Sequence, residues 1–133
     1  MNWSEVVAAI KEAQSKNDNA LAFKIFDDAK RRFHSKTNKD YDWLIEALKN
    51  DDLKFFVAHL FQRTSLPKKL LIPMLQAALC ENNASLNNEF IKPCLATYDK
   101  NKVKKMLINL ENELSTCNLD KVLYWVASYR SRS

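Results

Sequence analysis

The chain has 133 residues, of which 47% are hydrophobic and 28% are charged, and its formal net charge is +5. This length and balance predict one globular domain over 1–133 and exclude a disordered chain. The sequence contains no glycine, which excludes the P-loop, the dinucleotide fingerprint and the kinase glycine loop, because each of them requires glycine.

Apolar residues recur at helical spacing along the whole chain, between short breaks rich in Asn, Asp and Lys. Helices are predicted over about 3–15, 19–34, 40–49, 53–63, 66–80, 85–98, 102–114 and 119–129. No stretch alternates apolar and polar residues as a half-buried strand does. The sequence therefore predicts an all-α fold.

Capping residues and prolines mark several of the predicted helix ends. Asn2 and Glu5 resemble a capping pair at the start of the first helix. Asp51-Asp52 is predicted to cap the fourth helix, and Ser65 the fifth, with Pro67 in its first turn. Two prolines within helices, Pro73 and Pro93, are predicted to kink or divide the fifth and sixth.

Short breaks make consecutive helices antiparallel neighbours, an arrangement that both a compact bundle and a solenoid satisfy. Two features favour the solenoid. The apolar faces of the fourth, fifth and eighth helices are wide, and the prolines lie near first turns. We expect irregular N-terminal helices over 1–50 and clearer helix pairs over 51–133.

Residues from about 51 to 129 resemble HEAT-like (ARM-type) helical repeats. Leu53 to Arg63 is followed by Leu66-Pro67 and an amphipathic second helix, and the segments 82–93 and 122–127 are similar to segments of small bacterial HEAT-like proteins. The resemblance implies a right-handed α-α superhelix (a HEAT/ARM-like solenoid) that serves as a binding surface, with no catalytic residue to carry over. No polar capping repeat follows Trp125, which predicts an apolar end open to self-association or to a C-terminal partner.

Residues for metal or acid–base chemistry are sparse. The only histidines, His34 and His59, are far apart, and the cysteines Cys80, Cys94 and Cys117 lack the spacing of zinc ligands. In each of the acidic pairs 27–28 and 51–52, the two side chains point about 100° apart on a helix, so they do not converge as an acid–base dyad. We therefore predict no catalytic residue, no metal and no cofactor.

The cysteine usage and the apolar runs indicate a location. Three cysteines without a disulfide pattern favour a reducing cytoplasm. The longest apolar stretch, Leu70 to Leu75, is far shorter than the ~20 residues that span a bilayer. A cytoplasmic protein without a membrane segment is predicted.

Lysines gather at the start of two predicted helices, where the helix dipole disfavours cations. They are Lys68 and Lys69 in the fifth helix and Lys100, Lys102, Lys104 and Lys105 in the seventh. If these helices occupy equivalent places in successive pairs, Lys68, Lys69, Lys102 and Lys105 form one edge, here called the basic ridge, and the helix N-termini add to its anion affinity. A solvated face is the alternative.

Three aromatic residues lie close together in the eighth helix, namely Tyr124, Trp125 and Tyr129. Tyrosine and tryptophan are frequent interface anchors, although packing against an adjacent helix is the favoured explanation unless the C-terminal end is open. They are the second group of candidate binding residues.

The resulting hypothesis is a non-enzymatic protein–protein interaction module, or scaffold, for an acidic or apolar partner. The alternative is a nucleic-acid-binding protein that uses the basic ridge, similar in architecture to HEAT-like alkylpurine DNA glycosylases, whose catalytic residues find no match here. A small enzyme with a pocket between helices is a third hypothesis, for which the sequence shows no motif.

Overall fold

The structure is a computed structural model that describes residues 2–32, 38–62, 64–114 and 118–129. Within these ranges it contains helices and no strand, which confirms the all-α prediction. The helices are α1 (Trp3–Ser15), α2 (Asn19–Arg32), α3 (Asn38–Leu48), α4 (Lys54–Leu60), α5 (Lys68–Cys80), α6 (Asn87–Thr97), α7 (Lys100–Leu114) and α8 (Leu119–Ser128).

The chain divides into two compact units, Met1–Trp43 and Leu44–Ser133, with the division inside α3. We call them the first unit and the second unit. From the sequence, the boundary between the irregular N-terminal helices and the clearer helix pairs was predicted slightly later, after residue 50. A single domain over 1–133 stays a prediction.

The first unit is built on a hairpin of α1 and α2, which pack against each other. As predicted, Asn2 caps α1 by accepting a hydrogen bond from the Glu5 N–H at 3.2 Å. At the other end Asn17 adopts a left-handed φ of 57°, and the Asp18 N–H bonds to Ala13 O at 2.9 Å. This is a Schellman ending in which asparagine takes the place usually held by glycine.

The second unit contains alternating helices that pack in two sets. α6 packs against both α4 and α8, and α5 packs against α7, while α5–α6 and α7–α8 are neighbours in sequence and in space. The Leu66 N–H donates to Thr97 Oγ1 at 2.8 Å, so the start of α5 lies beside the end of α6. α5 and α6 are therefore antiparallel, as their short connection predicts.

The connection from α5 to α6, residues 81–86, is held by polar side chains that lie outside it. The buried Asn87 donates to Ala78 O at 2.9 Å and to Glu81 O at 2.6 Å. Three donors, one just before α8 and two within it, reach the end of α5 and this connection. Asn118 bonds to Leu79 O at 2.8 Å and to Asn82 Oδ1 at 3.0 Å, Lys121 bonds to Asn82 O at 2.9 Å, and Trp125 Nε1 bonds to Ala84 O at 2.6 Å. We call Asn87, Asn118, Lys121 and Trp125 the polar clamp.

Two predicted caps are wrong. The residue before α4 is Leu53, without a side-chain cap, and the preceding turn is shaped by Asn50 Oδ1, which accepts from the Asp52 N–H at 2.8 Å. The residue before α5 is Pro67, also without a side-chain cap, so Ser65 does not cap this helix. Its entry is fixed instead by the bond from Leu66 to Thr97.

Neither proline divides its helix, so that part of the prediction is wrong. α5 runs through Pro73 and α6 runs through Pro93. A proline at 93 leaves the Glu89 carbonyl without its usual N–H donor. The side-chain amide of Gln62 donates to that carbonyl at 3.0 Å, which replaces the missing bond and lets α6 continue.

Candidate interaction surface

The start of α5 and the start of α7 lie at the same end of the second unit. The Tyr98 hydroxyl, just before α7, donates to Leu66 O at 2.8 Å, just before α5. The Lys102 ammonium lies 5.6 Å from the centroid of the same ring, within the range of a cation–π interaction. Burial raises the pKa of Tyr98, so its hydroxyl stays protonated and able to donate.

Hydrogen bonds at the opposite ends fix the direction of these helices. Asn118, before α8, bonds to Leu79 near the end of α5. The Lys100 ammonium, at the start of α7, bonds to the carbonyls of Ala127 and Tyr129 at the end of α8, at 3.2 and 3.4 Å. α5 and α7 are therefore parallel, and both are antiparallel to the helices between and after them.

The residues of the basic ridge, Lys68, Lys69, Lys102 and Lys105, are all exposed. Lys68 and Lys69 occupy the first turn of α5, and Lys102 and Lys105 occupy the first two turns of α7. Within the described ranges Lys68, Lys102, Lys104 and Lys105 form no ion pair, and the carboxylate nearest in sequence, Asp99, accepts from the Lys102 N–H at 3.1 Å. Their positive charge faces solvent.

Lys100 behaves differently from the other lysines of α7. Its ammonium group bonds to the last carbonyls of α8, where a cation also offsets the negative end of the helix dipole. Lys100 thus joins two helices.

The three aromatic candidates separate in the structure. Trp125 belongs to the polar clamp, which is a packing role. Tyr129 follows α8, and its carbonyl accepts from Lys100. Tyr124 is 64% exposed and rests edge-on against Trp125, with centroids 5.2 Å apart. Of the three, Tyr124 is the one whose side chain faces solvent.

Sequence reasoning missed an internal repeat that carries exposed apolar residues. Lys68-Lys69-Leu70-Leu71-Ile72 in α5 recurs as Lys104-Lys105-Met106-Leu107-Ile108 in α7. In both copies the lysines and the isoleucine are exposed while the leucine before the isoleucine is buried. Self-comparison of the sequence at a fixed spacing would have revealed it.

The nucleophilic and titratable candidates show structural roles. Cys94 is buried, its Sγ lies 3.4 Å from Phe90 O, and burial raises the pKa of its thiol far above the ordinary value. His59 lies 3.4 Å from Glu89. His34 and Cys117 lie outside the described residues. Over the described part of the chain no three His, Cys, Asp or Glu side chains group as metal ligands.

The acidic pairs and the basic run of α2 lie at the surface. Asp27 and Asp28 pair with Arg31 and Arg32, one helical turn on, at 3.0 and 3.2 Å. Asp51 pairs with Lys54 at 3.3 Å. These contacts leave no converging carboxylate dyad among them.

A cleft of about 180 Å³ lies between the end of α3, the start of α4 and α5. Its polar lining includes Asp51, Lys54, Gln76 and the exposed Cys80. Lys54 is mostly buried and bonds to Glu81 at 2.6 Å as well as to Asp51. The Lys54 ammonium is therefore paired with two carboxylates.

No protein-family model, no curated protein and no solved structure matches this chain. The HEAT-like resemblance accordingly stays a prediction. In the described ranges, none of the helices combines the length and apolar character needed to cross a bilayer.

Proposed function

We propose that this chain is a non-enzymatic interaction module that binds an acidic partner protein through the basic ridge. The observation that carries the proposal is the junction at Tyr98, which touches both Leu66 before α5 and Lys102 in α7. It brings two lysine-bearing helix starts to one end of the second unit. Lysines placed against the helix dipole reduce the stability of their own helices, and a negatively charged partner compensates for that cost.

We further propose that α4 to α8 stack as a HEAT-like α-α superhelix. Its support is the packing of α6 between α4 and α8, together with the packing of the parallel helices α5 and α7. In such stacks equivalent helices present equivalent residues along one edge, which is how an extended binding surface arises.

Charge reversal on the ridge tests the binding function. The variant Lys68→Glu/Lys102→Glu/Lys105→Glu is compared with Lys11→Glu/Lys24→Glu/Lys39→Glu, which changes three exposed lysines of the first unit and alters the net charge equally. Glutamate at a helix start suits the dipole, so the ridge variant is expected to stay folded, as circular dichroism will check.

Each protein serves as bait in a native lysate, and captured proteins are quantified by mass spectrometry. The proposal requires at least one protein that the wild type and the control capture and that the ridge variant loses by tenfold or more. If the ridge variant retains the full set, the lysines are a solvated face and the proposal is wrong.

A nucleic-acid-binding function is the second candidate, favoured by lysines placed beside helix N-termini, where phosphate binds well. An unrelated DNA duplex distinguishes the two candidates. Phosphate contacts release counterions, so binding to this duplex would weaken steeply as salt is raised. Under the protein-binding proposal the duplex binds at least tenfold more weakly than the captured partner at 150 mM salt, a condition of about 8 Å Debye length.

A further inference from the structure

The repeated segment places an exposed isoleucine beside each pair of lysines. Ile72 is 46% exposed and Ile108 is 40% exposed. Lys68 and Lys69 lie four and three residues before Ile72, and Lys104 and Lys105 stand in the same relation to Ile108. Residues three and four apart share one face of a helix, so each helix presents one apolar side chain next to two ammonium groups.

The two copies lie side by side because their helices are parallel and in register. α5 and α7 pack against each other. Leu66 and Lys102 hold equivalent positions in the repeat, and both contact Tyr98. Because these equivalent residues contact the same tyrosine near the two helix starts, the equivalent positions six residues later, which are the two isoleucines, follow in the same order on the two helices.

We propose that these outer faces of α5 and α7 bind a segment of a partner protein in which acidic residues flank apolar anchors. This inference rests on the proposed function and specifies the partner. Lys68, Lys104 and Lys105 have no ion pair within the described ranges, so these three ammonium groups are complementary to carboxylates. The isoleucines add an apolar component that carboxylates alone do not use, and burying it strengthens binding.

This combination distinguishes an acidic amphipathic segment from nucleic acid. Phosphates would engage the lysines and leave both isoleucines exposed to water. A peptide with leucine on one side and glutamate on the flanking positions can contact the isoleucines and the lysines at the same time. It would bind as a helix or strand that lies across α5 and α7. The chemistry of the surface therefore favours the protein segment.

Binding of three labelled synthetic peptides of 16 residues to the full chain tests the inference by fluorescence anisotropy. The first peptide contains glutamate and serine, the second replaces every fourth residue of the first with leucine, and the third is the second with lysine in place of glutamate. The wild type is expected to bind the second peptide at least tenfold more tightly than the first, and the third not measurably.

The variant Ile72→Ser/Ile108→Ser is expected to weaken binding of the leucine peptide about 25-fold, roughly fivefold for each half-exposed isoleucine, and to leave binding of the glutamate–serine peptide unchanged. The matched control Leu21→Ser/Phe23→Ser removes two exposed apolar residues of the first unit and should change neither affinity.

The outcomes separate the two proposals. The role of the isoleucines is overturned if the leucine peptide binds no more tightly than the glutamate–serine peptide. It is also overturned if the isoleucine variant binds the leucine peptide as tightly as the wild type does. In either case the proposed binding of an acidic partner stands. If Lys68→Glu/Lys104→Glu/Lys105→Glu leaves binding of both acidic peptides unchanged, the basic surface itself is overturned. Binding of a 16-nucleotide single strand of DNA as tight as that of the leucine peptide would also overturn the inference.

Discussion

The two units bury very different residues. Among the described residues of the first unit, the buried apolar ones are Trp3 and three alanines, Ala13, Ala22 and Ala29, while Leu21 is 45% and Phe23 69% exposed. In the second unit large side chains such as Phe61, Phe90 and Met74 are almost completely buried. Burial contributes roughly 25 cal/mol per Å² of apolar surface, so the second unit holds most of the hydrophobic stabilisation.

The polar contacts differ in the same direction. In the first unit one buried bond stands out, from Trp3 Nε1 to Asp40 at 2.8 Å, with Trp3 stacked on Trp43 at 5.9 Å. In the second unit the polar clamp makes a series of bonds to the connection between α5 and α6. The candidate surface, which lies on α5 and α7, therefore belongs to the unit with the larger buried core.

The same substitution in both units gives the largest expected contrast. Phe90→Ala removes a fully buried ring that lies 5.1 Å from the ring of Phe55 and should reduce the free energy of unfolding by about 3–5 kcal/mol. Phe23→Ala removes an exposed ring and should change it by less than about 0.5 kcal/mol. Urea unfolding followed by circular dichroism measures both. Equal losses in the two variants would show that the second unit does not hold most of the hydrophobic stabilisation.

Loss of the clamp should have the next largest effect. Asn87→Ala removes two donors and leaves the carbonyls of Ala78 and Glu81 without them in a buried place. We expect a loss of about 2–4 kcal/mol in the free energy of unfolding. The control is Asn101→Ala, at an exposed position in α7, which should change the free energy of unfolding little. A loss below about 1 kcal/mol at position 87 would show that water replaces the donors easily.

The ion pair of Glu81 makes the stability of the second unit depend on pH. Burial of the Glu81 carboxyl opposes its ionisation, but hydrogen bonds from Lys54 and the Asn83 N–H outweigh burial, so the pKa of Glu81 is lowered from 4.5. A lowered pKa in the folded state means that ionised Glu81 stabilises the fold above about pH 4.5. This contribution disappears as the pH falls through the folded-state pKa.

Glu81→Gln should therefore lower the free energy of unfolding by about 1–3 kcal/mol at pH 7. The difference in this free energy between the variant and the wild type should become smaller below pH 4.5. In the first unit, Asp27→Asn breaks an exposed pair with Arg31 and should cost less than about 0.5 kcal/mol, an effect that salt screens. Thermal unfolding between pH 7 and pH 3 measures both variants. A Glu81→Gln difference that is independent of pH would contradict this assignment.

The smallest expected effect lies in the turn of the first unit. Asn17 has a left-handed backbone conformation, which asparagine tolerates better than alanine does and glycine tolerates best. Asn17→Ala should lower the free energy of unfolding by about 1 kcal/mol, and Asn17→Gly should leave it unchanged or raise it slightly. Hydrogen exchange of the α1 and α2 amides would locate the change. If the alanine variant is as stable as the glycine variant, the turn relaxes without cost.

Every described helix was predicted from the sequence with ends close to those observed. Apolar periodicity is strong in α7, where Val103, Leu107 and Leu110 are buried, and Asn- or Asp-rich breaks separate most helices. The caps of α4 and α5 were predicted wrongly because local capping rules ignore contacts from distant residues. The bond between Leu66 and Thr97 joins residues 31 positions apart.

The candidate surface was predicted in part. The lysines could be assigned to helix starts from the sequence, but their placement at one end depends on Tyr98, whose contact with Leu66 spans 32 positions. Trp125 was expected at a surface or in packing, and only its bond to Ala84, 41 positions away, distinguishes these roles. Such bonds depend on the tertiary arrangement and leave no local pattern in the sequence.

The polar clamp has a consequence for degradation. Residues 82–86 are exposed, and exposed polar connections are ordinarily the first places where a protease cuts. To enter a protease active site, a substrate must detach its backbone over several residues and straighten. Here the carbonyls of Asn82 and Ala84 are held by Lys121 and Trp125, so cleavage at this connection requires prior opening of α8.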